Sequence, residues 1–290
     1  MAAAAAALED RSCVILATND YSSHTYTLHH IDVAPFFSHP DPDDEAMDDI
    51  PLPPASARFD KPAFPGNCFV NFHLLRGGAI YGGGDIKVVS TNGKRRSSST
   101  TSPAAPSVAD RFIEKGGVTA AAGGRIWTYT KNAGTYSFDT RRCSWRKEGD
   151  WALPFVGKVK HVPVCGRDRL SFGFASISSP LCAVDLATAT AESPPEVRGV
   201  WEEFRLPGDW LGGTSSLVHL GSGKMCIFRF FGTVPSPPID RSGKKPDRFV
   251  VITPIEVGPG DDNDKEIKMV KHRSKRIKLD RLNGHITWVL

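Results

Sequence analysis

GGRIWTYTKNAGTYSFDTRRCSWRKEGDW, Gly123 to Trp151, is the stretch that decides the fold. The glycine pair Gly123-Gly124 opens it, and a strand is predicted over Arg125–Thr130. A turn at Lys131-Asn132-Ala133-Gly134 leads into a second strand, Thr135–Asp139. Asparagine and glycine suit that turn because they tolerate positive φ at little steric cost. Six residues separate Phe138 from Trp145, an aromatic-to-tryptophan spacing that marks one blade of a β-propeller. Gly123, Gly124, Phe138, Asp139, Trp145 and Trp151 are therefore expected to be structural. Trp145→Ala would cost on the order of 3–5 kcal/mol if the ring is buried.

Weaker copies of this unit recur, each a glycine, an apolar strand and a second strand closing on an acid. Gly166–Phe174 precedes Leu181–Asp185, and Gly223–Phe231 precedes Phe249–Glu256. Cys13–Thr18 precedes Tyr26–Asp32, and the least regular unit holds Cys68–Leu75, Gly77–Tyr81 and Ile86–Ser90. Opening glycines at Gly78, Gly124, Gly166 and Gly223 are 46, 42 and 57 residues apart, close to the length of a four-stranded propeller blade. The expected fold is all-β, one β-propeller of about five to six blades over residues 1–290. Asn283-Gly284 is a hairpin signal, and Gly284–Leu290 is the expected closing strand, pairing with the first so that no edge stays open. A flexible N-terminus (1–10) and loop insertions at 38–57, 94–107 and 234–247 complete the plan.

Composition agrees with this class. Hydrophobic residues at 40% and charged residues at 23% are enough for a buried core, while 27 glycines and 22 prolines favour short strands and turns. Six cysteines lie apart without a CxxC pair, so reduced thiols acting as small hydrophobes are expected, several in apolar strands such as Cys13–Leu16 and Met225–Phe228. The first residues lack the basic and apolar regions of a signal peptide. No run approaches the roughly 18 apolar residues that span a bilayer. A monomer of the cytoplasm, the nucleus or both is expected, without membrane contact. Charge is uneven: residues 1–60 carry eleven acids and two bases, with six acids in Asp41–Asp49 and eight bases between Lys265 and Arg281. In a closed propeller these opposite ends could attract across a short distance.

The chain resembles an uncharacterised plant family catalogued as domain of unknown function 1668, related in pattern to kelch and F-box-associated propellers. The resemblance rests on Gly134–Asp139, Trp145, Gly149-Asp150-Trp151, Leu153-Pro154-Phe155, Gly157 and Val162-Pro163. It continues through Leu181-Cys182-Ala183, Asp185-Leu186, Trp201-Glu202, Trp210-Leu211, Leu220–Gly223, Phe230-Phe231 and Met269–His272, with Tyr26–Asp32 near the start. It covers most of the chain and is densest from residue 116, and the segment between Phe69 and Asp110 is shorter than the family's second blade. It implies a kelch-like propeller and brings no catalytic residue.

Candidate chemistry is sparse. In His29-His30-Ile31-Asp32 the pair His30 and Asp32 share a strand face, but no nucleophile stands at motif spacing. Gly221-Ser222-Gly223 is not a nucleophile elbow, Gly82-Gly83-Gly84 is not a phosphate loop, and Asp261–Asp264 lacks the ligand spacing of a calcium loop. No cofactor or metal is expected. Lys275-Arg276-Ile277-Lys278 resembles a short nuclear import signal, with Lys275, Arg276 and Lys278 as its cations; the alternative is a basic strand with Ile277 and Leu279 turned inward. Ser97, Ser98 and Ser102 fit kinase preferences in a basic loop. The leading expectation is a non-enzymatic interaction module binding unidentified protein partners through its loops. Residues 1–12 leave no room for an F-box, so a ubiquitin-ligase role would need a separate adaptor. A propeller hydrolase or glycan binder, with Asp32, Asp139, Asp185 and Glu256 at the channel mouth, is the second reading. Nucleic-acid contact through the basic C-terminal run is the third.

Overall fold

The computed structural model describes residues 12–20, 25–38, 40, 47–60, 70–73, 87–90, 118–122, 124–130, 132–139, 141–164, 167–175, 180–201, 205, 207–233, 247–259, 267–279 and 288–289. Residues 1–10, Gly123, Ser97, Ser98, Ser102, the insertion 94–107 and residues 234–246 lie outside them. Strands run as β1 (Cys13–Asp20), β2 (Thr25–Asp32), β3 (Met47–Ile50), β4 (Ala55–Asp60), β5 (Val70–His73), β6 (Lys87–Ser90) and β7 (Val118–Ala122). They continue as β8 (Arg125–Thr130), β9 (Gly134–Asp139), β10 (Ser144–Gly149), β11 (Val156–Val164), β12 (Arg167–Phe174), β13 (Leu181–Asp185) and β14 (Glu196–Trp201). The last are β15 (Trp210–Gly221), β16 (Lys224–Thr233), β17 (Arg248–Pro259), β18 (Ile267–Lys271), β19 (Ser274–Lys278) and β20 (Trp288–Val289). Helix among the described residues is confined to short 3-10 turns at Ala34–Phe37 and Leu186–Thr188. The protein is all-β, as its turn-rich sequence predicts.

Contacts divide the chain into two compact units: Met1–Ser12, Val33–Pro51 and Pro106–Asp280 form one, and Cys13–Asp32, Leu52–Ala105 and Arg281–Leu290 the other. In the smaller unit the sheet order is β20-β1-β2-β4, beside a separate β5-β6 pair. Leu16 faces Val289 and Ala17 faces Trp288, so the first and last strands are hydrogen-bonded neighbours. A buried polar chain crosses this sheet. The Thr18 and Thr27 hydroxyls are 2.6 Å apart, Thr27 lies 2.9 Å from His29 Nε2, and His29 Nδ1 lies 2.7 Å from the Pro53 carbonyl. A carbonyl can only accept, so Nδ1 carries a proton.

The larger unit contains an eight-stranded sheet of two four-stranded meanders, β7–β10 and β11–β14, joined where β7 and β11 pair in parallel at Thr119↔Lys158 and Ala120↔Val159. Its other sheet runs β15-β16-β17-β19-β3, with β18 also pairing with β17. β13 shows why the apolar runs here are continuous. Leu181 and Ala183 join Phe172, Leu217, Ile227 and Ile255 in one core cluster, while Cys182 and Val184 join Trp127, Phe155 and Val159 in another. Both faces of β13 are covered, so the alternation of a half-exposed strand disappears there.

Two expectations need correcting. The stretch 38–57 is not simply a loop: it contains β3 and the start of β4. Its acids find cations on β19, and that pairing gives a polar sequence a reason to be extended. The basic run is two strands, not one. β18 and β19 follow each other along β17 and break at His272, whose N–H donates to Pro254 O at 2.9 Å.

Candidate functional site

In the Gly123–Trp151 segment the expected structural residues take structural places. Trp145 and Phe138 face each other across β9 and β10, with ring centroids 5.1 Å apart. Both rings are only half-buried. Gly124 sits at φ 76°, in the left-handed region expected of an opening glycine. Asp139 accepts the N–H groups of Arg141 and Arg142, each at 2.9 Å, which tightens the β9–β10 turn and lowers its carboxyl below the ordinary range. The Trp151 indole donates to Thr190 O at 2.8 Å. Glu148, prominent only in the structure, accepts from Arg125 at 3.0 Å, from Arg146 at 2.6 Å and from the Ser137 hydroxyl. Burial alone would push its carboxyl up, but the bonds from Arg146 and Ser137, with the charges of Arg146 and Arg125, outweigh that and hold it low.

The acids named for a hydrolytic site have local duties. Asp185 caps the Leu186–Thr188 turn by accepting from Ala187 N–H at 2.9 Å. Glu256 lies 3.5 Å from Nε2 of His272, a buried ring whose edge packs on Phe37 with centroids 5.3 Å apart. Asp32 is exposed and stands opposite Cys13, whose thiol is raised by burial and then by the Asp32 charge. His30 is exposed, while His29 faces the polar chain described above. No group of three or more His, Cys, Asp or Glu among the described residues is placed to hold a metal ion. No helix among them is long and apolar enough to cross a membrane. Cys182 and Cys226 are buried, with the Cys182 thiol pushed up to about 11, but Cys13 and Cys143 are exposed, against the expectation of buried thiols.

Two surfaces stand out. The first is the seam between β3 and β19, which pair in parallel from Ser274↔Met47 to Ile277↔Ile50. Asp48 accepts from Lys275 Nζ at 2.5 Å and Arg273 Nη2 at 2.9 Å. Asp49 accepts from Arg276 Nε and Nη2. Ile277 is 0% exposed and Leu279 is buried, as the basic-strand alternative expects. Two cations of the import motif are thus held by carboxylates, and Lys278 alone of the three is exposed. The opposed charges of the two chain segments were legible in the sequence, but which acid meets which base was not.

The second surface is the outer edge of β14, the end strand of its sheet among the described residues. A bulge leaves Arg198 without a cross-strand partner, so that Val197 faces Val184 and Val200 faces Cys182. Partners in a ladder point to the same side, and Val184 and Cys182 share a side. The bulge therefore puts Val197 (46% exposed) and Val200 (60% exposed) on one face. No spacing in the sequence announces this, because strict alternation would send the two valines to opposite faces.

Repeated antiparallel meanders define an all-β scaffold. The chain belongs to the family described as Protein of unknown function (DUF1668), whose match spans residues 86–277. No curated protein and no solved structure matches it.

Proposed function

We propose that this chain is a non-enzymatic protein-interaction module built as a kelch-like propeller, each four-stranded meander being a blade. Two features support the architecture. The parallel contact of β7 with β11 is what first strands of successive blades make around a channel, and β20 completes the β1-β2-β4 sheet with a strand from the far end of the chain. On that reading the strands group into five blades, the low end of the five to six expected.

The observation that carries the interaction reading is the bulged edge of β14. It ends the sheet's backbone ladder among the described residues and carries two exposed valines on one face, a combination suited to an extended partner segment. A photo-cross-linker placed at Glu196, exposed on the same strand, in the full chain tests it. A discrete protein partner should be captured there, and lost in Val197→Asp/Val200→Asp protein that keeps its circular dichroism spectrum. Identical capture by the aspartate variant would sink the reading.

A further inference from the structure

β3 contributes only four paired residues to the sheet, and its side-chain contacts join positions 227 residues apart in the chain. It presents two adjacent carboxylates, between Met47 and Ile50, to Lys275 and Arg276 on β19 and to Arg273 just before that strand. Met47 packs on the cluster of Phe231, Phe249 and Val251. The receiving cations are also positioned from below: Arg276 lies 5.8 Å from the Phe249 ring centre and Lys275 lies 6.0 Å from that of Phe36. A hydrogen-bonding edge with fixed cations and an apolar seat is the layout of a strand-addition site. The family match includes Ser274–Ile277 but not Met47–Ile50, so the edge and its occupant come from different parts of the chain.

We propose that the β19 edge is a docking site for an extended acidic peptide, two adjacent carboxylates flanked by apolar residues, and that Met47–Ile50 is its built-in competitor. Ordering a four-residue strand costs conformational entropy, and these partly exposed ion pairs at the sheet edge offset only part of it. The internal strand is therefore displaceable. Its departure leaves the outer backbone groups of β19 and three cations without their β3 partners. An incoming acidic strand satisfies both sets, while a neutral strand satisfies only the backbone, and that difference makes the site selective. The site lies on β19, so it stands or falls separately from the β14 edge.

The probe is a fluorescein-labelled peptide with the sequence of residues 45–52, EAMDDIPL, titrated against full-length protein by fluorescence anisotropy. Asp48→Asn/Asp49→Asn protein, its own strand weakened, should bind the peptide about tenfold more tightly than wild type, because the competent edge is populated more often. A peptide with both aspartates changed to asparagine should bind about tenfold more weakly than the acidic one. Equal affinity for the two peptides, or no binding to a variant whose β19 amides have lost hydrogen-exchange protection, overturns the proposal. So does unchanged protection of Met47–Ile50 in that variant. Should the variant not fold, wild-type protein with excess peptide is read by hydrogen exchange. Faster exchange at Met47–Ile50 supports displacement and unchanged exchange refutes it.

Discussion

Arg276 of β19 and Asp49 of β3 form a two-pronged ion pair across a parallel strand junction. Nε and Nη2 each donate to one carboxylate oxygen, at 2.5 and 2.8 Å. Beside it, Lys275 holds Asp48 at 2.5 Å. The hydrogen bond from Arg276 lowers the Asp49 carboxyl below its ordinary 3.8, and the bond from Lys275 does the same for Asp48.

The sign of the acid response follows. A carboxyl depressed in the folded state contributes stability that is fully present above its unfolded value and lost as pH falls through the folded one. The β3–β19 seam should loosen only below the ordinary aspartate value of 3.8. Amide NMR shifts of Met47–Ile50 and Ser274–Lys278, followed from neutral pH down through the carboxylate range, check it. Asp48→Asn/Asp49→Asn protein separates these groups from Glu148 and Asp139, which titrate low as well. A transition at those amides well above that range would contradict the assignment.

A receptor that reads a basic run as an extended chain needs β19 out of its sheet, yet Ile277 and Leu279 are buried there. Residues 268–282 fused to a passive reporter should concentrate in nuclei, while the intact chain should do so far less. A diffuse reporter would remove the import reading altogether. Equal accumulation of both would show that the strand does not conceal the signal.

Trp145→Ala should cost about 1–3 kcal/mol, less than full burial would imply, because its ring and that of Phe138 are half-exposed. Urea unfolding measures this. A loss of partner binding without any loss of stability would move Trp145 from packing to recognition.

Gly134→Ala should be the more damaging exchange. The residue sits at φ +91°, and an added Cβ would stand 2.3 Å from the Gly149 carbonyl oxygen, which is backbone and cannot swing aside. A loss of at least about 2 kcal/mol is expected. Gly208→Ala, with nothing within 4 Å of the added carbon, is the control and should stay within about 0.5 kcal/mol of wild type. Equal melting temperatures for the two variants would contradict the account.

Thiol labelling should follow exposure. Among the four described cysteines, Cys143 should react first in native protein and Cys13 more slowly, its thiol raised by burial and by Asp32. Cys182 and Cys226 should stay unlabelled until unfolding, since burial keeps both thiols protonated. Site-resolved mass spectrometry after timed alkylation reads the order. Early labelling of Cys226 would mean that β16 opens locally.

Much of the fold was legible residue by residue. The strand predicted over Arg125–Thr130 is β8 with those bounds, and Leu181–Asp185 is β13. The turn that ends in Gly134 was legible because left-handed backbone demands particular residues. The candidate surfaces were not legible in the same way. The acids of 38–57 looked like a solvated loop because charge alone does not choose a partner. Val197 and Val200 share a face only because Arg198 is bulged out, which depends on the register against β13.

The sequence by itself determined the all-β class, the strand–turn repeats and the packing role of Phe138 and Trp145, since these rest on backbone preference and spacing within a few residues. Tertiary structure alone decided that Met47–Ile50 would lie on Ser274–Lys278 and that the cations of the basic run would be held by Asp48 and Asp49. Such a register joins segments 227 residues apart, and the burial of Phe249 and Ile277, with Met47 packed partly buried against Phe249, rather than any local preference, selects it.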